Sequence, residues 1–359
     1  MKIIHCADLH IDSKMESSLG SEKARTRKKE LINTFERMVE FANNNDVKII
    51  IIAGDMFDSS RVTIKSKEQI FDIIKTHPQI DFLYLAGNHD EENIISSLAD
   101  EYSNLKIFND NWTTFKYGNI AITGVKLNSK DKNIYETLDL SKDDYNIVVL
   151  HGQIIKYNTS KSNAEIINLS KLKNKNIDYL ALGHLHSYVE DKLDDRGIYC
   201  YSGCIEGRGF DECGDKGFVL LDINDGKLNK QFITIAKRKL NEIEFDISGI
   251  DNWFDIERKI LDSIKNIKKS DMIKIVLIGK FKLSLVKQIS HLEERLNDIY
   301  YFAKIKDKSS LEINAKDFEN DLSLKGEFIR EVLSSNLTDD EKEKVILIGL
   351  NAINGEELK

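Results

Sequence analysis

The run Val47-Lys48-Ile49-Ile50-Ile51-Ile52-Ala53 constrains this chain more than any other stretch. So dense a run of β-branched residues has no polar face to turn towards water. It fits a strand buried on both faces, as in a parallel sheet covered by other layers. The run stops at Gly54-Asp55-Met56-Phe57-Asp58, which places two carboxylates at the carboxyl end of a buried strand. The pattern recurs. Lys2–Ala7 runs into Asp8-Leu9-His10, and Phe82–Ala86 into Gly87-Asn88-His89-Asp90. Asn146–Leu150 runs into His151-Gly152, and Asp178–Leu182 into Gly183-His184-Leu185-His186. Helical spacing separates the first three strands. Leu31, Phe35, Met38, Val39 and Ala42 line one face of Glu22–Asn44, and Ile70, Ile73 and Ile74 mark a helix near Ile64–Thr76, ended by Pro78. Alternating strand, ligand-bearing turn and helix predicts an α/β layered domain with its site at the strand ends.

Farther along, Ile198–Ser202 enters a glycine-rich loop, and Gly217–Ile223 with Gln231–Ile235 predict a hairpin turning at Asp225-Gly226. The texture changes after about Ala236. Strands at Lys239–Asp246, Met272–Gly279 and Tyr300–Ile305 alternate with helices at Asn252–Ile267 and Leu285–Leu296. Two helices follow, Glu319–Ser335 and Asp339–Ile353, the second capped by Thr338 with Glu341 three positions later. The expected divisions are 1–235, 236–310 and a helical region 311–359.

Five of the eight histidines lie in the strand-end turns. Core-filling histidines would not gather there, so the turns are candidate metal sites. His5, His77 and His291 read instead as strand interior, helix end and exposed helix. Side chains two apart on an extended segment face the same way, so Asp8 and His10 can share one ligand. Mixed Asp, His and Asn donors suit a borderline divalent ion such as Mn²⁺, Fe²⁺ or Zn²⁺, and not a calcium cage. Seven candidate ligands exceed one site and match two ions sharing a carboxylate. Cys200, Cys204 and Cys213 lack zinc-finger spacing and read as buried small residues. The formal charge of −8 is not that of a typical nucleic-acid binder, although bound ions would offset a carboxylate-rich site. The basic run Lys23–Lys29 reads as a solvated helix start. No stretch is long and apolar enough for a membrane span, and Met1 leads straight into a strand pattern, so a cytoplasmic location is expected.

The ordered set Asp-x-His at 8–10, Gly-Asp-x-x-Asp at 54–58, Gly-Asn-His-Asp at 87–90, His-Gly at 151–152 and Gly-His-x-His at 183–186 resembles the calcineurin-like metallophosphoesterase superfamily. The resemblance implies a two-sheet α/β sandwich of α-β-β-α layers. It implies one metal held by Asp8, His10, Asp55 and His186. Asp55 would bridge to a second metal, held also by Asn88, His151 and His184. His89 would protonate the leaving oxygen or stabilise phosphate charge, with Asp58 orienting it. From the residues alone, the alternative for Asp58 is a helix cap after the strand.

Ala7-Asp8-Leu9-His10-Ile11-Asp12-Ser13, Gly54–Arg61, Tyr201-Ser202-Gly203 with Gly207-Arg208 and Lys216-Gly217, and Leu322–Phe328 resemble the SbcD-type DNA repair exonucleases. Leu9 in the first motif leans towards their YhaO-like branch. That likeness implies a small α+β capping domain and a helical C-terminal tail. It implies DNA as substrate, at single-strand and double-strand ends. The activities would be 3′-to-5′ exonuclease and single-strand endonuclease, by attack of water. The implied partners are an SbcC-like ATPase of the SMC type and a second copy of the chain, meeting through Ile64–Thr76 and Glu92–Tyr102. Ile70, Phe71 and Ile74 fit that contact or ordinary core packing. Arg61 and Arg208 are candidate phosphate contacts, each able instead to pair with a carboxylate. The alternatives are a small-substrate phosphoesterase or cyclic-nucleotide phosphodiesterase, and a catalytically weak scaffold for an ATPase on DNA ends.

Overall fold

The computed structural model describes residues 1–58, 62–87, 102–128, 133–157, 165–312 and 318–353. They form two compact units, Met1–Leu240 and Asn241–Lys359.

The first unit is a sandwich of two six-stranded sheets. One holds β1 (Lys2–Cys6), β2 (Val47–Ala53), β3 (Asp81–Leu85) and β4 (Leu105–Phe108), all parallel. The other holds β5 (Thr113–Tyr117), β6 (Ile120–Gly124) and β7 (Tyr145–His151), and, after the short pair β8 (Gln153–Ile154) and β9 (Ile166–Ile167), β10 (Tyr179–Gly183), β11 (Val189–Lys192) and β12 (Ile198–Tyr201). There β6, β7, β10 and β12 run parallel, with β5 and β11 antiparallel at the edges. The hairpin of β13 (Gly217–Asn224) and β14 (Lys227–Thr234) then returns to the first sheet beside β1. It turns at Asp225-Gly226, with φ of 50° and 74°. Positive φ at both turn residues is what a two-residue hairpin turn needs to match strand twist.

Alternate residues of β2 serve two layers. Ile49, Ile51 and Ala53 join Leu83, Leu85, Ile147, Val149 and Ala181 in the core between the sheets. Helix α1 (Ser21–Asn44) packs on the other face, where Phe35 meets Phe82 at 6.4 Å between ring centroids. Helix α2 (Ile64–Lys75) is capped by Thr63, whose side chain accepts from Ser66 N, so Asp58 is not that cap. Ile70, Phe71 and Ile74 are buried within their own chain, which assigns them to core packing.

Arg27 corrects the reading of the basic run. It is fully buried, bonds Glu30, donates Nη1 to Glu206 at 3.0 Å and Nη2 to Gly207 O at 2.6 Å. A buried guanidinium needs such complete pairing. His5, as expected, lies inside the strand layer, its Nδ1 2.9 Å from the Tyr179 hydroxyl. Burial lowers its pKa from 6.5 to about 3, against a weaker raising pull from a backbone group. The imidazole is thus neutral when folded and protonates first in the unfolded chain. Stability is therefore full above pH 6.5 and falls as pH drops towards the folded value, by about 2 kcal/mol between pH 6.5 and pH 5. The urea midpoint should fall further between about pH 7.5 and about pH 5 for wild type than for His5→Leu. Equal slopes would refute the assignment.

In the second unit, which takes the strand Leu240–Asp246 from Asn241 onwards, that strand, Met272–Ile278 and Phe302–Asp307 form a three-stranded sheet, the last two strands parallel. Helices Trp253–Ile264 and Ile289–Ile299 contribute Ile256, Ile260, Leu292 and Leu296 to a core that includes Ile329, Val332, Ile346 and Leu350 of the last two helices. The expected capping box is present, with Glu341 Oε2 accepting from Thr338 N at 2.9 Å. Among the described residues no helix is long and apolar enough to cross a membrane.

Candidate metal centre

The turns after β1 and β2 run side by side. Asp8 N donates to Gly54 O at 3.1 Å, His10 N to Asp55 O at 2.9 Å, and Ile11 N to Met56 O at 3.0 Å. The parallel pairing thus continues beyond both strands. Within it Asp8, His10 and Asp55 have φ of 53°, 44° and 53°, and His184 after β10 has 107°. Side chains rarely adopt this left-handed region, and its use by several polar residues at one place marks a site held by its surroundings. The extended geometry expected for Asp8 and His10 is therefore absent, and left-handed turns aim both inward instead.

Two groups of possible metal-holding side chains result: Asp8, His10 and His186, and Asp8, Asp55 and His151, each with ligand atoms within 4.8 Å of one another. Asp8 belongs to both. Asp55 also reaches both sides, its Oδ2 lying 3.7 Å from His10 Nε2 and 3.4 Å from His151 Nε2. His10 Nε2 and His186 Nε2 face each other at 3.2 Å. His184 sits beside His151, ring centroids 5.7 Å apart, and its backbone N–H donates to both carboxylate oxygens of Asp8 at 3.0 Å. The first sheet supplies Asp8, His10 and Asp55, and the second supplies His151, His184 and His186.

Glycines make the approach possible. Gly87 has no positive φ, yet a Cβ on it would stand 2.1 Å from Asp55 Oδ1. Its part is to leave room for Asp55, not to bend the chain. A Cβ on Gly183 would stand 1.8 Å from Ala53 O.

The donor set fits a divalent ion. His151 Nδ1 lies 2.9 Å from Ala53 O and donates to it, which leaves the buried Nε2, with no hydrogen bond, as the position a proton or a metal cation can take. An orphaned buried nitrogen facing two carboxylates is the arrangement a cation completes. The electrostatics agree. Burial raises the pKa of Asp8 and the charge of Asp55 adds to it, while His186, His151 and the His184 amide oppose the rise. Burial lowers that of His151, but Asp55 and Asp8 outweigh it and raise the value to about 9. The cluster favours positive charge at its centre.

Two partners of His186 escaped the sequence reading. Glu212 Oε1 lies 2.7 Å from His186 Nδ1, and Lys216 Nζ donates to His186 O at 2.6 Å. Glu212 adjoins Asp211 in the glycine-rich loop, and nothing in one sequence marks which acid turns inward. Of the two partners expected for Arg208, the structure shows the carboxylate: its Nε bonds Glu212 Oε1 at 3.0 Å and its Nη2 bonds the same carboxylate. Asp58 N donates to Ile11 O at 3.1 Å and its carbonyl accepts from Val62 N at 3.2 Å. Arg61, Asn88, His89 and Asp90 lie outside the described residues, so the expected Asp58–His89 pair does too. Among the described residues no cysteine joins a metal-capable group.

A profile of the calcineurin-like phosphoesterase family matches residues 1–188. Among curated relatives, the DNA double-strand break repair protein Mre11 of Sulfolobus acidocaldarius is 26% identical over 286 residues, spanning 75% of this chain and 73% of that protein. The protein of the same name from Sulfurisphaera tokodaii is 25% identical over 339 residues, spanning 89% and 84%. The uncharacterized metallophosphoesterase YhaO of Bacillus subtilis is 23% identical over 296 residues, spanning 78% and 72%.

Proposed function

The chain belongs to the calcineurin-like phosphoesterase family, and on that premise we propose that it is the nuclease subunit of a DNA repair complex, cleaving DNA phosphodiesters with two divalent ions. Its class is metal-dependent phosphodiester hydrolase of the Mre11 and SbcD kind. The observation that carries the reading is the pair of three-residue groups meeting at Asp8.

In this reading Asp8, His10, Asp55 and His186 would hold one ion, and Asp55 with Asn88, His151 and His184 would hold the other. Ions held there supply charge neutralisation at the phosphate and activation of water, with Mn²⁺ the first candidate. The chain's own residues do the rest. The buried side chains of Asp8, His10, Asp55 and His151 keep bulk water from the ligand atoms, which strengthens every charge interaction among them. The His184 amide fixes the Asp8 carboxylate. His89 would protonate the leaving oxygen or stabilise charge on the phosphate, with Asp58 orienting it. Two relatives bearing the name of a DNA double-strand break repair protein support DNA as the substrate. The proposal includes exonuclease action in the 3′-to-5′ direction, endonuclease action on single strands, and an SbcC-like ATPase of the SMC type as partner. It also includes a homodimer formed through α2, where Ile64 is 77% exposed.

The test is cleavage of end-labelled single-stranded and double-stranded DNA with Mn²⁺. Release of mononucleotides from linear DNA is expected. Turnover confined to small phosphate esters would replace the nuclease reading with a phosphomonoesterase or cyclic-nucleotide esterase.

A further inference from the structure

The two imidazoles that the second sheet brings to the three-residue groups are backed differently. His151 donates Nδ1–H to a neutral peptide carbonyl, Ala53 O, at 2.9 Å. His186 has a carboxylate behind it, Glu212 Oε1, at 2.7 Å. Glu212 is only 5% exposed and is itself held by Arg208, through Nε at 3.0 Å, through Nη2, and through the backbone N–H to Oε2 at 2.8 Å. The far side of His186 is tied as well, its carbonyl accepting from Lys216 Nζ at 2.6 Å.

One contact competes. Arg208 Nη2 lies 3.0 Å from His186 Nδ1. If Nδ1 accepted from that guanidinium, its lone pair would point at Glu212 Oε1 only 2.7 Å away. Two acceptors at that separation repel, whereas a carboxylate and an N–H at that separation form a strong charge-assisted bond. The proton therefore sits on Nδ1 and is given to Glu212. Nε2 keeps its lone pair, facing His10 Nε2 at 3.2 Å.

We infer that Glu212 is a positioning residue that fixes the tautomer of His186 and raises metal affinity at the Asp8/His10/His186 position alone. The inference rests on the two-ion reading above. A carboxylate behind a ligating imidazole makes it a better donor and holds its plane. Losing such a partner weakens binding by about 10–100-fold. The other position is backed by a peptide carbonyl at His151 and does not depend on Glu212.

The experiment is Mn²⁺ binding to the full chain by equilibrium dialysis, with free Mn²⁺ counted by its spin resonance signal and no substrate present. Wild type should bind two ions. E212Q, nearly isosteric, should weaken one binding step by about tenfold or more and leave the other within about twofold. R208Q/E212Q removes both charges of the buried pair, and should show the same selective loss if the single variant folds poorly. Thermal unfolding of each metal-free protein separates folding from ligation. Unchanged binding in both variants, or equal weakening of both steps, overturns the role of Glu212. Fewer than two ions on wild type overturns the two-ion reading itself.

Discussion

An Asp55→Asn variant is expected to lose at least about a thousandfold of metal-dependent phosphodiester hydrolysis while keeping its fold. The carboxylate lies 3.7 Å from His10 Nε2 and 3.4 Å from His151 Nε2, and completes one three-residue group with Asp8 and His151. Asparagine matches its volume and tolerates the left-handed backbone at this position, where φ is 53°. What it removes is the charge shared by both halves of the centre. Metal assistance supplies several kcal/mol of transition-state stabilisation, and about 4 kcal/mol corresponds to about a thousandfold in rate. The measurement is kcat/KM for a small phosphodiester and for linear DNA at saturating Mn²⁺, beside the metal content of the purified protein. A variant within tenfold of wild type that carries two ions would remove Asp55 from the centre.

Chelation should have the second large effect, on stability. Ions that bind only the folded state stabilise by mass action, about 2.7 kcal/mol for each site at a hundredfold excess over Kd. Two sites then contribute about 5 kcal/mol, equivalent to about 10–20 °C in Tm for a unit of this size. All the candidate ligands described here lie in Met1–Leu240, and none in Asn241–Lys359. The calorimetric transition of the first unit should therefore fall on adding a chelator and recover on adding Mn²⁺, while that of the second stays in place. Equal shifts in both, or none in the first, would count against metal held at these turns.

Much of this was legible because the residues concerned act locally. Val47–Ala53 could only be a buried strand, Asp225-Gly226 only a tight turn, and Thr338 with Glu341 is a contact three residues apart. Ligands placed at the ends of apolar runs were legible for the same reason. What was missed depends on how the folded chain packs. Arg27 looked like part of a solvated run, and its burial depends on Glu206, 179 positions on. Arg208 could be read as a phosphate contact or as an ion-pair partner, and only the fold shows that Glu212, four positions on, turns inward to meet it. The edge strand β11, Val-Glu-Asp-Lys, has no apolar pattern to read, and pairing with β12 alone defines it. The left-handed turns at Asp8 and His10 were invisible too, since only the neighbouring turn after β2 holds them in that form.

The division of candidate ligands between the two sheets would make a bound ion a reversible cross-link. His10 and His186 are 176 positions apart in the chain, and each three-residue group draws on both sheets. Neither sheet alone carries a complete group, so a fragment ending before β7 or beginning after β3 would be catalytically silent however well it folded. Tight binding must also follow the docking of the sheets, because the ligand atoms converge only then. Once in place, an ion closes a loop of that length, and separating the sheets would require releasing it first. Catalytic competence in this fold is thereby a direct report that the two halves of the sandwich have met.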